Sequence, residues 1–162
     1  MFDLDLTLWE CGGTWIDTCY GPPFQLVEPT NTLSTTRTTT TTTTTRYALS
    51  VKKEKCMLYD DCWIILEVLM ELKSSHGIQL AIASRTQEPK WAKQLLQVLQ
   101  IDHWFEYHEI YPSSKTRHFR QLQEKSKVDY SEMIFFDDEL RNVKQVNSEL
   151  GVVSVLVERG LT

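Results

Sequence analysis

Four groups of residues in this chain have types and spacing suited to moving a phosphoryl group: Asp3 with Asp5, Ser84 with Arg85, Lys115, and Asp137 with Asp138. Such a transfer needs a nucleophile in line with phosphorus, positive charge to neutralise the spreading oxygens, and an acid to protonate the leaving oxygen. Asp3, Asp137 and Asp138 would set like charges close together, which is unfavourable without a cation. Hard carboxylate oxygens with no His or Cys among them favour Mg²⁺, held by few protein ligands plus water and substrate. Lys115 adds a second positive charge able to bridge nucleophile and phosphate.

These residues need elements that bring them together. From about residue 77 the chain alternates strand and helix patterns. Strands are predicted at 78–83, 106–110, 133–136 and 152–157. Helices are predicted near 89–99, 115–126 and 139–149, with Pro89 suited to a first turn and Gly151 to a stop. Upstream, Asp60 or Asp61 caps a helix running toward Gly77. Repeated strand–helix units give a parallel sheet covered on both faces. In such sheets ligands gather at the carboxyl ends of the strands. All but the last of these strands lead to one of the four groups, with Met1-Phe2 as the short tail of a first strand. Residues 8–58 show no sustained period, and Thr35 to Thr45 is almost pure threonine. Such a polar tract buries little apolar area against its ordering entropy, so a disordered insertion is expected around residues 30–48 of one 1–162 domain.

Composition narrows the classes. The 162 residues carry a formal charge of −5, 41% hydrophobic and 24% charged residues, which suits a globular chain without a broad basic face for nucleic acid. No apolar run reaches the roughly 20 residues of a membrane span. A cytoplasmic, monomeric protein is the expectation. Cys11, Cys19, Cys56 and Cys62 match no CxxC pattern and read as four free thiols. The four histidines are singletons and read as surface or partly buried.

At these residues the chain resembles a known family. Phe2-Asp3-Leu4-Asp5-Leu6-Thr7 is similar to the DxDxT signature of the haloacid dehalogenase superfamily. Ala83-Ser84-Arg85-Thr86 is similar to its second motif, Lys115 to its third, and Phe135-Phe136-Asp137-Asp138 to its fourth. Trp15-Ile16-Asp17-Thr18 and Glu109-Ile110-Tyr111-Pro112-Ser113-Ser114-Lys115 bring the likeness closer to the magnesium-dependent phosphatase family within it. The resemblance implies a Rossmann-like three-layer α/β sandwich, a mostly parallel sheet flanked by helices without a large cap domain. It implies that Asp3 attacks phosphorus to form an aspartyl-phosphate and that Asp5 is the acid and base. Mg²⁺ would be held by the Asp3 carboxylate, the Asp5 main-chain carbonyl and Asp137, with Asp138 in support. Ser84 and Lys115 would hold phosphate oxygens with help from the Leu4 main chain, Asp5 would also bind substrate, and Arg85 and Trp15 would shape the substrate end. The implied substrates are phosphotyrosine or sugar phosphates, on phosphoproteins or small molecules. The alternative is a catalytically impaired phosphate-binding or interaction protein on the same fold.

Overall fold

The computed structural model describes residues 1–36 and 39–161, and for residues 28–45 the backbone course alone. In chain order the elements are β1 (Trp9–Cys11), a 3₁₀ turn (Ile16–Thr18), β2 (Gln25–Thr36), β3 (Thr39–Leu49), β4 (Lys55–Leu58) and α1 (Cys62–His76). They continue with β5 (Ala81–Ser84), α2 (Pro89–Val98), β6 (Tyr107–Ile110), α3 (Lys115–Ser126), β7 (Ile134–Asp137), α4 (Leu140–Leu150) and β8 (Val153–Leu156).

Two parallel pairs, β5 with β6 and β7 with β8, form the halves of the main sheet. Phe2 joins them, bridging in parallel to Ile82 on one side and Phe136 on the other. Its N–H donates to the Ala81 carbonyl at 2.9 Å and its carbonyl accepts from Ala83 at 2.9 Å. Asp3 N–H donates to the Phe136 carbonyl, also at 2.9 Å. The short first strand therefore sits at the centre of the sheet and delivers Asp3 between the ends of β5 and β7.

Alternation along the strands divides the core into two layers. Ala81, Ala83 and Phe135 pack with Phe119, Leu122 and Val146, placing α3 and α4 on one face. Ile82 and Phe2 pack with Leu66, Leu95 and Leu96 of α1 and α2 on the other. Both layers read in the sequence as helical periods because each helix buries one apolar stripe. The helix ends are set by local chemistry. Gly77 and Gly151 take left-handed φ angles of 70° and 73° beyond α1 and α4, which glycine adopts without steric cost. Ser114 caps α3 by accepting from Arg117 N–H. Asp61 holds the position before α1, as expected, but its backbone is already helical and its carboxylate makes no capping bond.

The stretch without sustained period builds a second sheet, antiparallel in the order β1-β4-β3-β2. Its register sets Trp9 opposite Leu58 and Cys11 opposite Cys56. β1 and β4, of three and four residues, are too short to reveal a period. Where composition predicts a disordered insertion, the described backbone pairs Thr30 with Thr45 through to Thr36 with Thr39. Threonine's β-branched side chain favours extended backbone, a preference separate from burial. Residues 37–38, the tip of that expected insertion, lie outside the described residues. No helix among the described residues is long and apolar enough to cross a membrane.

Candidate active site

A cleft of about 240 Å³ opens at the carboxyl edge of the main sheet, lined by Asp3, Asp5, Trp15, Ser84, Arg85 and Asp138 among others. These come from the first strand, the turn before Ile16, the end of β5 and the end of β7, so the sequence-predicted residues do converge. Leu4 is fully buried and can reach the cleft only through its main chain. Lys115 and Asp137, both without exposed surface, lie beneath.

Lys115 opens α3, where a cation opposes the helix dipole and so needs compensation from elsewhere. It receives that from Asp3 Oδ1 at 2.7 Å, Asp137 Oδ2 at 3.0 Å and the Ala83 carbonyl. The ammonium thereby ties the ends of three strands together. The contact with Asp3 Oδ1 is a buried ion pair at hydrogen-bonding distance. Burial pushes the Asp3 carboxyl above its ordinary value, with the neighbouring Lys115 opposing the rise.

Asp5 is held differently. Its Oδ1 accepts from the Trp9 indole N–H and from Ile16 N–H, each at 2.8 Å. Both bonds go to one oxygen, leaving Oδ2 to carry a proton. Burial raises the Asp5 carboxyl to about 7. Leu6, at a left-handed φ of 59°, lies in the turn that folds this segment back; for a leucine that conformation carries strain of the kind found at functional sites. Trp9 reads from the sequence as core or lid packing. It is indeed core, but its ring nitrogen also fixes the carboxylate expected to act as acid. Trp9→Phe keeps the buried ring and removes that donor. The loss should cost about 1 kcal/mol of stability and move the alkaline limb of the kcat profile upward, because a donor that lowers the Asp5 pKa is gone. A limb that moves down or stays in place would contradict this role for Trp9.

The paired carboxylates after β7 separate by environment. Asp137 accepts from Glu139 N–H at 2.7 Å and from Asn142 Nδ2 at 3.1 Å on both oxygens, besides its pairing with Lys115. Asp138 faces the cleft, and Thr7 meets it twice: its hydroxyl donates to Asp138 Oδ1 at 3.4 Å and accepts from Asp138 N–H at 3.1 Å. Burial, then the charges of Asp3 and Asp137, push Asp138 up to about 7. One oxygen from each of Asp3, Asp137 and Asp138 lies within 4.8 Å of the others. Three carboxylates in an all-oxygen cluster with one buried lysine against them fit a hard divalent cation such as Mg²⁺. The sequence reading gives the metal to Asp137 and a supporting place to Asp138. The structure leaves the Asp138 carboxylate the freer of the two and spends that of Asp137 on Lys115 and Asn142.

Around this centre, Arg85 donates to Asn142 Oδ1 at 3.0 Å and stands 3.9 Å from Glu139. Ser84 is buried at the end of β5, where its hydroxyl accepts from Thr86 N–H at 3.4 Å. Asp17 accepts from the Thr86 hydroxyl and from Gln87 N–H, fastening the Trp15 turn to the loop after β5. Thr7, Asp17 and Asn142 thus hold the site together, and sequence reasoning assigns them no role. Thr7 stands inside the DxDxT signature, which was the available signal. Asp17 stands inside the Trp15-Ile16-Asp17-Thr18 match but acts over 70 residues of separation, and Asn142 gave no signal. His118 departs from its expected surface or partly buried place. It is fully buried, contacts the Tyr111 carbonyl at 3.0 Å, and burial lowers its pKa to about 4. It lies on α3 three residues after Lys115, where the inward helix face carries it into the core.

The backbone is similar to that of a haloacid dehalogenase-like family hydrolase from Streptococcus pneumoniae, at a TM-score of 0.53 and 16% identity over 62% of this chain and 46% of that one. The fold is the haloacid dehalogenase fold, and the cleft sits where such a parallel sheet gathers its chemistry. A family model described as Acid Phosphatase matches residues 1–162. Magnesium-dependent phosphatase 1 of Homo sapiens is 38% identical over 99% of this chain and 78% of its own length. A HAD-like hydrolase superfamily protein of Schizosaccharomyces pombe is 33% identical over 88% of this chain and 76% of its own. The chain belongs to this acid phosphatase family, and it is a phosphatase of the haloacid dehalogenase type.

Proposed function

We propose that the protein hydrolyses phosphomonoesters with Mg²⁺ as cofactor, Asp3 as nucleophile and Asp5 as acid and then base. The observation that carries this is the division of labour between two carboxylates two residues apart. Asp3 lies against a buried ammonium, while Asp5 is anchored by two hydrogen bonds to one oxygen and raised to about 7. Environments that set two carboxyl groups apart in this way assign nucleophile and acid.

Asp3 attacks phosphorus and the bond to the leaving oxygen breaks. The Asp5 proton passes to that oxygen, so the alcohol or phenol departs neutral. Asp5, now a carboxylate, takes a proton from water, whose oxygen attacks the phosphorus of the aspartyl-phosphate. Inorganic phosphate leaves, and both carboxyl groups return to their starting states. Lys115 and the Ser84 hydroxyl would hold the phosphate oxygens. Asp3 and Asp138 are the side chains free to hold the cation, with the Asp5 main-chain carbonyl. Asp137 orients Lys115. When bound, Mg²⁺ screens the approach of one anion to another and orients the phosphoryl oxygens.

The substrate end is open, and Trp15 stands beside it 52% exposed. An exposed indole suits an aryl phosphate such as phosphotyrosine, through ring packing, ahead of sugar phosphates. The purified protein should turn over p-nitrophenyl phosphate with Mg²⁺, stop with EDTA and recover when Mg²⁺ is restored. Turnover indifferent to EDTA would overturn the metal assignment. Trp15→Ala should raise KM for a phosphotyrosine peptide by about 3- to 10-fold, the worth of one aromatic contact, with less change for a sugar phosphate. Equal effects on both would remove the aryl preference.

A further inference from the structure

Outside the cleft, the fold gathers three of the four cysteines. Cys11 in β1, Cys19 after the 3₁₀ turn and Cys56 in β4 come from separate elements, and their three sulfurs lie within 4.8 Å of one another. All three are buried and none is in a disulfide. No sequence pattern announces the group, because its members are brought together by the pairing of β1 with β4, which sets Cys11 opposite Cys56, and by the turn that returns Cys19. Buried cysteine ordinarily behaves as a small hydrophobe, and a single one would need no further account. Three sulfurs facing one another are a different case.

We propose that Cys11, Cys19 and Cys56 form a three-thiolate site for one thiophilic d¹⁰ cation, Cu⁺ or Zn²⁺. Three sulfurs around an ion with metal–sulfur distances of about 2.3 Å stand about 4.0 Å apart in a trigonal plane. The sulfurs already lie within a spacing from which that geometry needs only small side-chain adjustments. Soft thiolates select such cations over Mg²⁺, which keeps the site chemically separate from the carboxylates. A disulfide would consume two of the sulfurs and leave the third alone, whereas a shared ion uses all three. Entry of the cation releases the thiol protons to solvent. Among the described residues, no His, Asp, Glu or fourth Cys joins the group, which favours three-coordination and hence Cu⁺.

The site stands apart from the cleft but next to its supports. Cys11 follows Trp9 by two residues and Cys19 follows Ile16 by three, and Trp9 and Ile16 are the two donors to Asp5.

The test uses the purified, reduced, metal-free chain with saturating Mg²⁺, titrated anaerobically with chelator-buffered Cu⁺ and, separately, Zn²⁺. The expected result is one tightly held equivalent per chain for at least one of the two ions. X-ray absorption should show three sulfur neighbours at about 2.3 Å. Cys11→Ala and Cys56→Ala should each lose that equivalent, and Cys62→Ala should keep it. No stoichiometric binding, or oxygen and nitrogen neighbours in place of sulfur, would overturn the proposal. The spectrum is read on the unaltered chain, so it decides the matter even where a cysteine variant fails to fold.

Discussion

Asp3→Asn should lower kcat for an aryl phosphate by about 10⁴-fold or more, the scale on which loss of a nucleophile falls when the rest of a site remains. The change is nearly isosteric, so the cleft and the sheet contacts of the first strand persist. Its effect on the fold has a definite sign. Asp3 is buried, and desolvation raises its pKa above that of the unfolded chain, although Lys115 opposes the rise. A carboxyl whose folded pKa is raised loses stability as pH climbs through the unfolded value and the charged form must be kept out of water. Removing the charge should therefore leave the metal-free protein at neutral pH with a Tm close to that of the parent. The measurement pairs steady-state kinetics with thermal melts, each with and without Mg²⁺. The parent should be stabilised by the ion and the variant much less. Full activity in the variant would end the nucleophile assignment, and a collapsed melt would show that the lost activity reported folding instead.

Lys115→Met, by contrast, should lower stability. The lysine is enclosed, paired with Asp3 and Asp137 and bonded to the Ala83 carbonyl. Methionine fills most of the same volume but leaves two buried carboxylates facing each other. Breaking a buried pair from one side costs about 3–5 kcal/mol. For a chain of this size that corresponds to a fall in Tm of roughly 10 °C. Added Mg²⁺ should return part of the loss, since it supplies charge to the same carboxylates. Turnover should also fall by about 10²- to 10³-fold, the cost of losing one group that stabilises transferring oxygens. A variant as stable as the parent without metal would mean that the lysine carries no structural charge balance. Lys115→Arg tests the geometry separately: the charge survives, but a planar guanidinium does not fit a point-charge socket between two strands.

Tm values for the two variants should thus diverge in metal-free solution and draw together as Mg²⁺ is added to the lysine variant. That divergence is a consequence of one ammonium shared by two acids. Removing an acid relieves a buried charge, while removing the base exposes two acids to each other.

The sequence by itself determined the fold class, the order of its strand–helix units and the residues at the strand ends. Those features are written locally: one apolar stripe per helix, glycine after α1 and α4, and polar groups immediately after short apolar runs such as Phe135-Phe136. The same locality carried Asp3, Asp5 and Ser84 to the cleft and Lys115 beneath it. Tertiary structure alone decided which of Asp137 and Asp138 turns toward the cleft, because alternation across a strand end and the reach of Lys115 and Asn142 separate two adjacent identical residues. It decided that Trp9 and Ile16 hold Asp5, and that Asp17 fastens the turn carrying Trp15. It also gathered Cys11, Cys19 and Cys56 from three elements into one cluster. Each of these depends on strand register or on contacts between segments far apart in the chain, and neither residue type nor period encodes a distance of that kind.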